Sequence, residues 1–201
     1  MATTLFLRDI ASTLNVPTAF KAALQRRGRA AATTTTNTSA SGTNLPITDV
    51  AGGQQLSWFS EPLTTAVTIS GSITPNIRCR ESANTVNAGI ALAIERANNA
   101  GTVQSTVSAR AVIGAEAGTT ESARTAARTP TSTAFSVGDR IKFTLSVINV
   151  GTMGAGTFNT YHDGPLAAGT GDSYVTFTEN FVTDEIIEVG ASEIRGARFY
   201  G

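Results

Sequence analysis

His162 is the single histidine of the chain and Cys79 its single cysteine, so proton relay or thiol chemistry would have to run through one of these positions. A nucleophilic triad needs a histidine that takes a proton from Ser or Cys, and a carboxylate that orients the ring. Asp163 follows His162 directly, and adjacent residues of a strand point to opposite faces, so this pair does not readily form the orienting bond. His162 reads as a strand-end side chain that packs or hydrogen-bonds. No nucleophile elbow is present. Glycoside hydrolysis needs two carboxyl groups roughly 5 to 9.5 Å apart, whereas Glu81, Glu95, Glu116, Glu121 and Asp139 fall at strand ends and in loops, as solvated turns do. Gly151, Gly154 and Gly156 would cradle a phosphate only ahead of a helix N-terminus, and the residues after them read as a strand. Asp163 to Asp172 offers oxygens to Ca²⁺ without EF-hand spacing. A lone cysteine excludes an intrachain disulfide and a multi-cysteine metal site, and Cys79 lies on the apolar side of an alternating stretch, as a buried thiol would. The expectation is a chain that is no enzyme, with no catalytic, cofactor-binding or metal-binding residues.

Residues that could bind a partner are easier to find. Arg26, Arg27 and Arg29 form a basic cluster that suits an acidic protein surface or nucleic acid, or simply a solvated face. Phe199 and Tyr200 close the chain on two aromatics that could dock on a neighbour. Trp58 and Phe59 could stack on a sugar ring, or anchor a sandwich core. Bulk charge names no partner, because 15 basic and 15 acidic side chains cancel. Nucleic-acid binders usually carry a basic excess, since the phosphate backbone supplies much of their affinity, so no direct nucleic-acid contact is expected.

The elements that would position these residues are strands. Val67, Ile69, Gly71, Ile73, Pro75, Ile77 and Cys79 alternate with Thr68, Ser70, Ser72, Thr74, Asn76 and Arg78, a period of two that predicts one long strand with a hydroxyl-rich polar face. Ile141, Phe143, Leu145 and Val147 repeat the pattern, Ala88 to Arg96 carries it on even positions, and Val103, Val107, Ala109, Ala111 and Ile113 carry it on odd ones. Shorter strands are expected at 3–8, 56–59, 157–162 and 174–181. Ala19 to Ala32 mixes helix-forming residues with Gly28 and is open between a short helix and none. Thr33 to Gly53 is low-complexity Thr, Ser, Asn, Ala and Gly, and reads as a linker, arm or long loop.

Charged residues make up only 15% of the chain against about a quarter in an average globular protein, a composition that suits packing into an assembly. The apolar run at Leu5 to Leu7 is too short for a signal peptide. No stretch approaches the roughly 18 apolar residues of a transmembrane helix, so a soluble chain made in a cytoplasm, with no membrane partner, is expected. The fold expected is all-β: an antiparallel two-sheet sandwich, jelly-roll-like, with extended N- and C-terminal arms. Residues 1–54 would hold a strand, the basic segment and the Thr/Ser-rich arm, residues 55–182 the sandwich body, and residues 183–201 the C-terminal arm.

Thr4-Leu5-Phe6-Leu7-Arg8-Asp9, the Trp58 strand followed by Val67-Thr68-Ile69-Ser70-Gly71, and Gly171-Asp172-Ser173-Tyr174-Val175-Thr176-Phe177 together resemble β-sandwich virion proteins of tailed bacteriophages, the head decoration or cement group. The resemblance runs the length of the chain and implies a jelly-roll-like body on the capsid surface that forms homo-oligomers, often trimers, and clamps the major capsid protein. It brings no catalytic residues, and the basic segment from Arg26 to Arg29 departs from it. The alternatives are a neck or tail structural protein, or a carbohydrate- or receptor-binding module of a tail or fibre that would present Trp58, Tyr161, Tyr174 or Tyr200.

Overall fold

The structure, a computed structural model, describes residues 2–11, 14, 19–23, 33–39, 55–150, 156–162 and 173–184. Among them are thirteen strands and no helix, hence no helix long and apolar enough to cross a membrane. The strands are β1 (Thr3–Ala11), β2 (Ala19–Ala23), β3 (Thr33–Ser39), β4 (Gln55–Ser60), β5 (Val67–Ile69), β6 (Ile73–Glu81) and β7 (Ala88–Ala97). They continue with β8 (Val103–Val112), β9 (Ser122–Thr125), β10 (Thr133–Phe135), β11 (Arg140–Asn149), β12 (Gly156–His162) and β13 (Tyr174–Phe177).

The main ladder runs β3-β12-β6-β13-β1-β2-β4-β11-β7-β8, with β9 paired to β6, while β5 and β10 form a separate two-stranded sheet. All pairings are antiparallel except β2 with β4. The sandwich closes because alternation puts apolar side chains of both layers inside: Leu5, Ile73, Ile77, Val175 and Phe177 from one side, and Trp58, Ile90, Leu92, Phe143 and Leu145 from the other, are almost wholly buried. The rings of Phe143 and Phe177 meet across the core, centroids 6.2 Å apart. Cys79 is fully buried there, and burial pushes its thiol up to about 11, so it is an apolar filler at neutral pH.

Three expectations change and one open reading is decided. The stretch from Val67 to Cys79 is two strands in two sheets, because the chain turns at Ser70-Gly71-Ser72. At Gly71 a Cβ would collide with Thr178 Oγ1, which explains the glycine. Residues 19–23 are strand rather than helix, and the rest of that ambiguous stretch lies outside the described residues. Thr33–Ser39 is no linker: β3 matches β12 over seven consecutive pairs, as a run of β-branched Thr can without any apolar pattern. In β8 the odd-position pattern fails at Val103, Ala109 and Ala111, which are exposed: β8 is the last strand of the ladder, and its register against β7 shifts three times.

β1, β2 and β3, which the sequence reading places in an N-terminal segment, therefore pair within the same ladder as the body. Thr3 pairs with Phe177 and Phe6 with Tyr174, tying the first strand to the last. Of the C-terminal arm, Thr183 bridges Leu63 and the Asp184 N–H donates to the Pro62 carbonyl at 2.7 Å; the remainder lies outside the described residues.

Candidate interaction surface

The β5–β10 pair presents the most unusual surface of the described residues. Thr133, Ala134 and Phe135 pair with Ile69, Thr68 and Val67. Phe135 and Ile69 point inward and are buried, so alternation sends Thr68 and Ala134 outward, side by side and exposed. Ala66 and Ser70 on one strand line, and Ser132 and Ser136 on the other, are exposed as well. The result is a shallow face of small, uncharged side chains.

Absence of charge extends well past those residues. No Asp, Glu, Lys or Arg occurs from Pro62 to Ile77 or from Thr129 to Gly138. The charges that border the two stretches are engaged elsewhere. Arg140 Nη1 donates to the Ser60 carbonyl at 2.9 Å and to Glu61 Oε2 at 3.1 Å, and all but a tenth of both side chains is buried. Arg96 Nε meets Asp139 Oδ2 at 2.7 Å. Arg128 Nη1 donates to the Leu92 carbonyl at 2.6 Å and its Nη2 to the Ala111 carbonyl, filling the gap left where the β7–β8 register slips. Burial lowers the proton affinity of this guanidinium. Arg78 Nε pairs with Glu121 Oε1 at 2.6 Å.

Glu179 anchors the edge of the face. Its Oε1 accepts the Ser70 N–H at 2.8 Å and the Gly71 N–H at 2.5 Å. Burial alone would raise this carboxyl, but the backbone N–H bonds outweigh it and hold the group below the usual carboxylate range. At the other end Leu63 and Thr64 lie between two segments: the Leu63 N–H donates to the Asp139 carbonyl at 2.8 Å, and the Thr64 N–H to the Val182 carbonyl at 3.0 Å. Val137 and Val182 flank them, 66% and 51% exposed, the two most exposed large apolar side chains among the described residues.

A different environment surrounds Glu81 at the end of β6. Its Oε1 accepts the Ala88 N–H, Oε2 has no hydrogen-bond partner among the described residues, and the residue is 1% exposed. Burial, then the Glu116 charge, pushes the carboxyl up against the pull of the Ala88 N–H and Arg124. A folded value above the unfolded one makes its contribution to stability complete at low pH and lost as pH rises through the folded value. Among the described residues no group of three His, Cys, Asp or Glu side chains is placed to hold a metal ion.

Arg26, Arg27, Arg29, Phe199 and Tyr200, the sequence-derived candidates for partner contact, all lie outside the described residues. So do Asp163 to Asp172 and the glycines Gly151 and Gly154. The aromatic platform is not formed by Trp58, which is 1% exposed and donates Nε1–H to the Arg8 carbonyl at 2.9 Å. Tyr161 is buried against Arg80, and Tyr174 packs on Phe6 with ring centroids 5.7 Å apart. The face on β5 and β10 was half visible in sequence: Thr68 and Ser70 fall on the hydroxyl side of the alternation, but nothing announced that residues 132–136 would lie beside them.

No family model matches the chain, and no curated protein matches it. Solved structures match it in fold. An aminopeptidase from the marine sediment archaeon Thaumarchaeota archaeon superposes with a TM-score of 0.61 at 8% identity, over 91% of this chain and 37% of that one. A CocE/NonD family hydrolase from Staphylococcus aureus gives 0.57 at 10% identity, over 88% and 36%. An alpha-amino acid ester hydrolase gives 0.52 at 11% identity, over 87% and 35%. The chain thus spans little more than a third of each, and identities this low speak for the fold. These neighbours correct the expectation of a chain that is no enzyme, because its sandwich is one that occurs within hydrolase chains.

Proposed function

We propose that the chain is a virion structural protein of a tailed bacteriophage, of the head decoration type, that oligomerises and contacts the major capsid protein through the charge-free β5–β10 face. The observation that carries this reading is the combination of an uncharged exposed face with bordering charges committed to inward bonds. Desolvating charged groups is costly and hydroxyls lose less, so such a face approaches a protein surface cheaply. The low charge content and the sequence resemblance point the same way. Quantitative mass spectrometry of gradient-purified particles tests it: the chain should co-sediment at a fixed ratio to the major capsid protein, and its absence from particles overturns the reading.

A second reading takes its support from the fold likeness to hydrolases: a sandwich unit that works beside or within a hydrolytic assembly. Ester and peptide hydrolysis assayed in the same gradient fractions separates the two, since activity that tracks the chain away from particles favours the second.

A further inference from the structure

A sheet's outermost strand carries a row of unpaired N–H and C=O groups, and proteins guard such edges with charge, bulges, short length or a covering segment. Two of the outer strands here are guarded. β8 has three register shifts against β7 and carries Arg110, and its Val107 carbonyl is taken by the Thr131 N–H at 2.8 Å. β9 is four residues long and contains Arg124. β3 shows none of these protections among the described residues. It ends the ladder, no strand pairs its far edge among the described residues, and it runs Thr-Thr-Thr-Thr-Asn-Thr-Ser without charge, proline or bulge.

We propose that β3 pairs antiparallel with β3 of a second copy about a two-fold axis through Thr36, so that the sheet continues from one protomer into the next. The sequence is suited to meeting itself. Thr34 would lie opposite Thr38, Thr35 opposite Asn37 and Thr36 opposite its own copy, and cross-strand Thr pairs are favourable. A two-fold contact brings like against like, which penalises any strand with net charge and does not penalise this one. Side-chain hydroxyls and amides both donate and accept, so identical strands can satisfy one another whatever the local facing. The pairing concerns the isolated chain and is independent of the virion reading.

Sedimentation of the purified chain over a concentration series tests it, with Thr36→Lys and Thr36→Glu as variants and thermal melting as the control for folding. The wild type should be a dimer. Each variant places two like charges face to face and should raise the dissociation midpoint roughly tenfold or more. An equimolar mixture of the two should restore the dimer. Should Thr36 be needed for folding, Thr38→Lys mixed with Thr34→Glu sets opposite charges face to face only in the mixed dimer, and that mixture should dimerise more tightly than either variant alone. A wild type that stays monomeric, variants that dimerise like wild type, or a mixture no tighter than its components would each overturn the proposal.

Discussion

Glu179 Oε1 binds two successive amides, Ser70 and Gly71, where the chain leaves β5 for β6. Hydrogen bonds to a charged acceptor are stronger than neutral ones, and a half-buried carboxylate keeps part of that advantage against solvent screening. The folded carboxyl lies below its unfolded value of 4.5, so its stabilisation is complete above that value and is lost as pH falls through the folded one. Glu179→Gln should therefore cost about 1 to 2 kcal/mol at pH 7, and the gap in melting temperature from wild type should narrow as the pH is lowered through the acid range. A gap that stays constant with pH would place the stabilisation elsewhere. No sequence pattern announces this role, since Glu179 is over a hundred residues from its partners, as its separations of 109 and 108 show.

At the scale of elements, the β5–β6 junction shows what alternation can and cannot say. Gly71 keeps the odd-numbered parity of Val67, Ile69 and Ile73, so the pattern runs unbroken through a point where the chain changes sheets. Parity records which face a residue takes and is silent on which sheet. Gly71→Ala should destabilise by about 1 to 3 kcal/mol, as overpacking does, because the new Cβ meets Thr178 and sits 3.0 Å from Glu179 Oε1. Denaturant titration with unchanged slope and an earlier midpoint is the expected result, and an unchanged midpoint would mean the junction yields freely. The apolar side of β11 was legible, since Ile141, Phe143, Leu145 and Val147 are buried as their spacing requires, but its polar side was not, because Arg140, Thr144 and Ser146 are buried as well. β3 was not, because it has no apolar face to read, and the exposure of β8 was not, because its place at the end of the ladder is set by pairing and leaves no trace within one strand. The charge-free stretches were visible as composition, but the turning of Glu61, Arg128 and Asp139 into bonds behind the face belongs to tertiary structure.

For the molecule as a whole, the pairing of β1 with β13 joins the two ends of the described chain inside one ladder. Removing the first strand would open the sandwich, so deleting the N-terminal segment confounds binding with folding. Substitution on the outer face of β5 and β10 does not, because Thr68 and Ala134 are exposed and their neighbours Ile69 and Phe135 carry the packing. The measurement that bears most directly on the proposed assembly face is co-sedimentation of purified particles lacking the chain with added wild type or the Thr68→Lys, Ala134→Lys double variant. Wild type should bind at a fixed ratio, and the variant should melt as wild type does yet bind at least about tenfold more weakly, since two lysines in a charge-free contact must be desolvated without partners. Equal binding by the two proteins would show that this face meets only water.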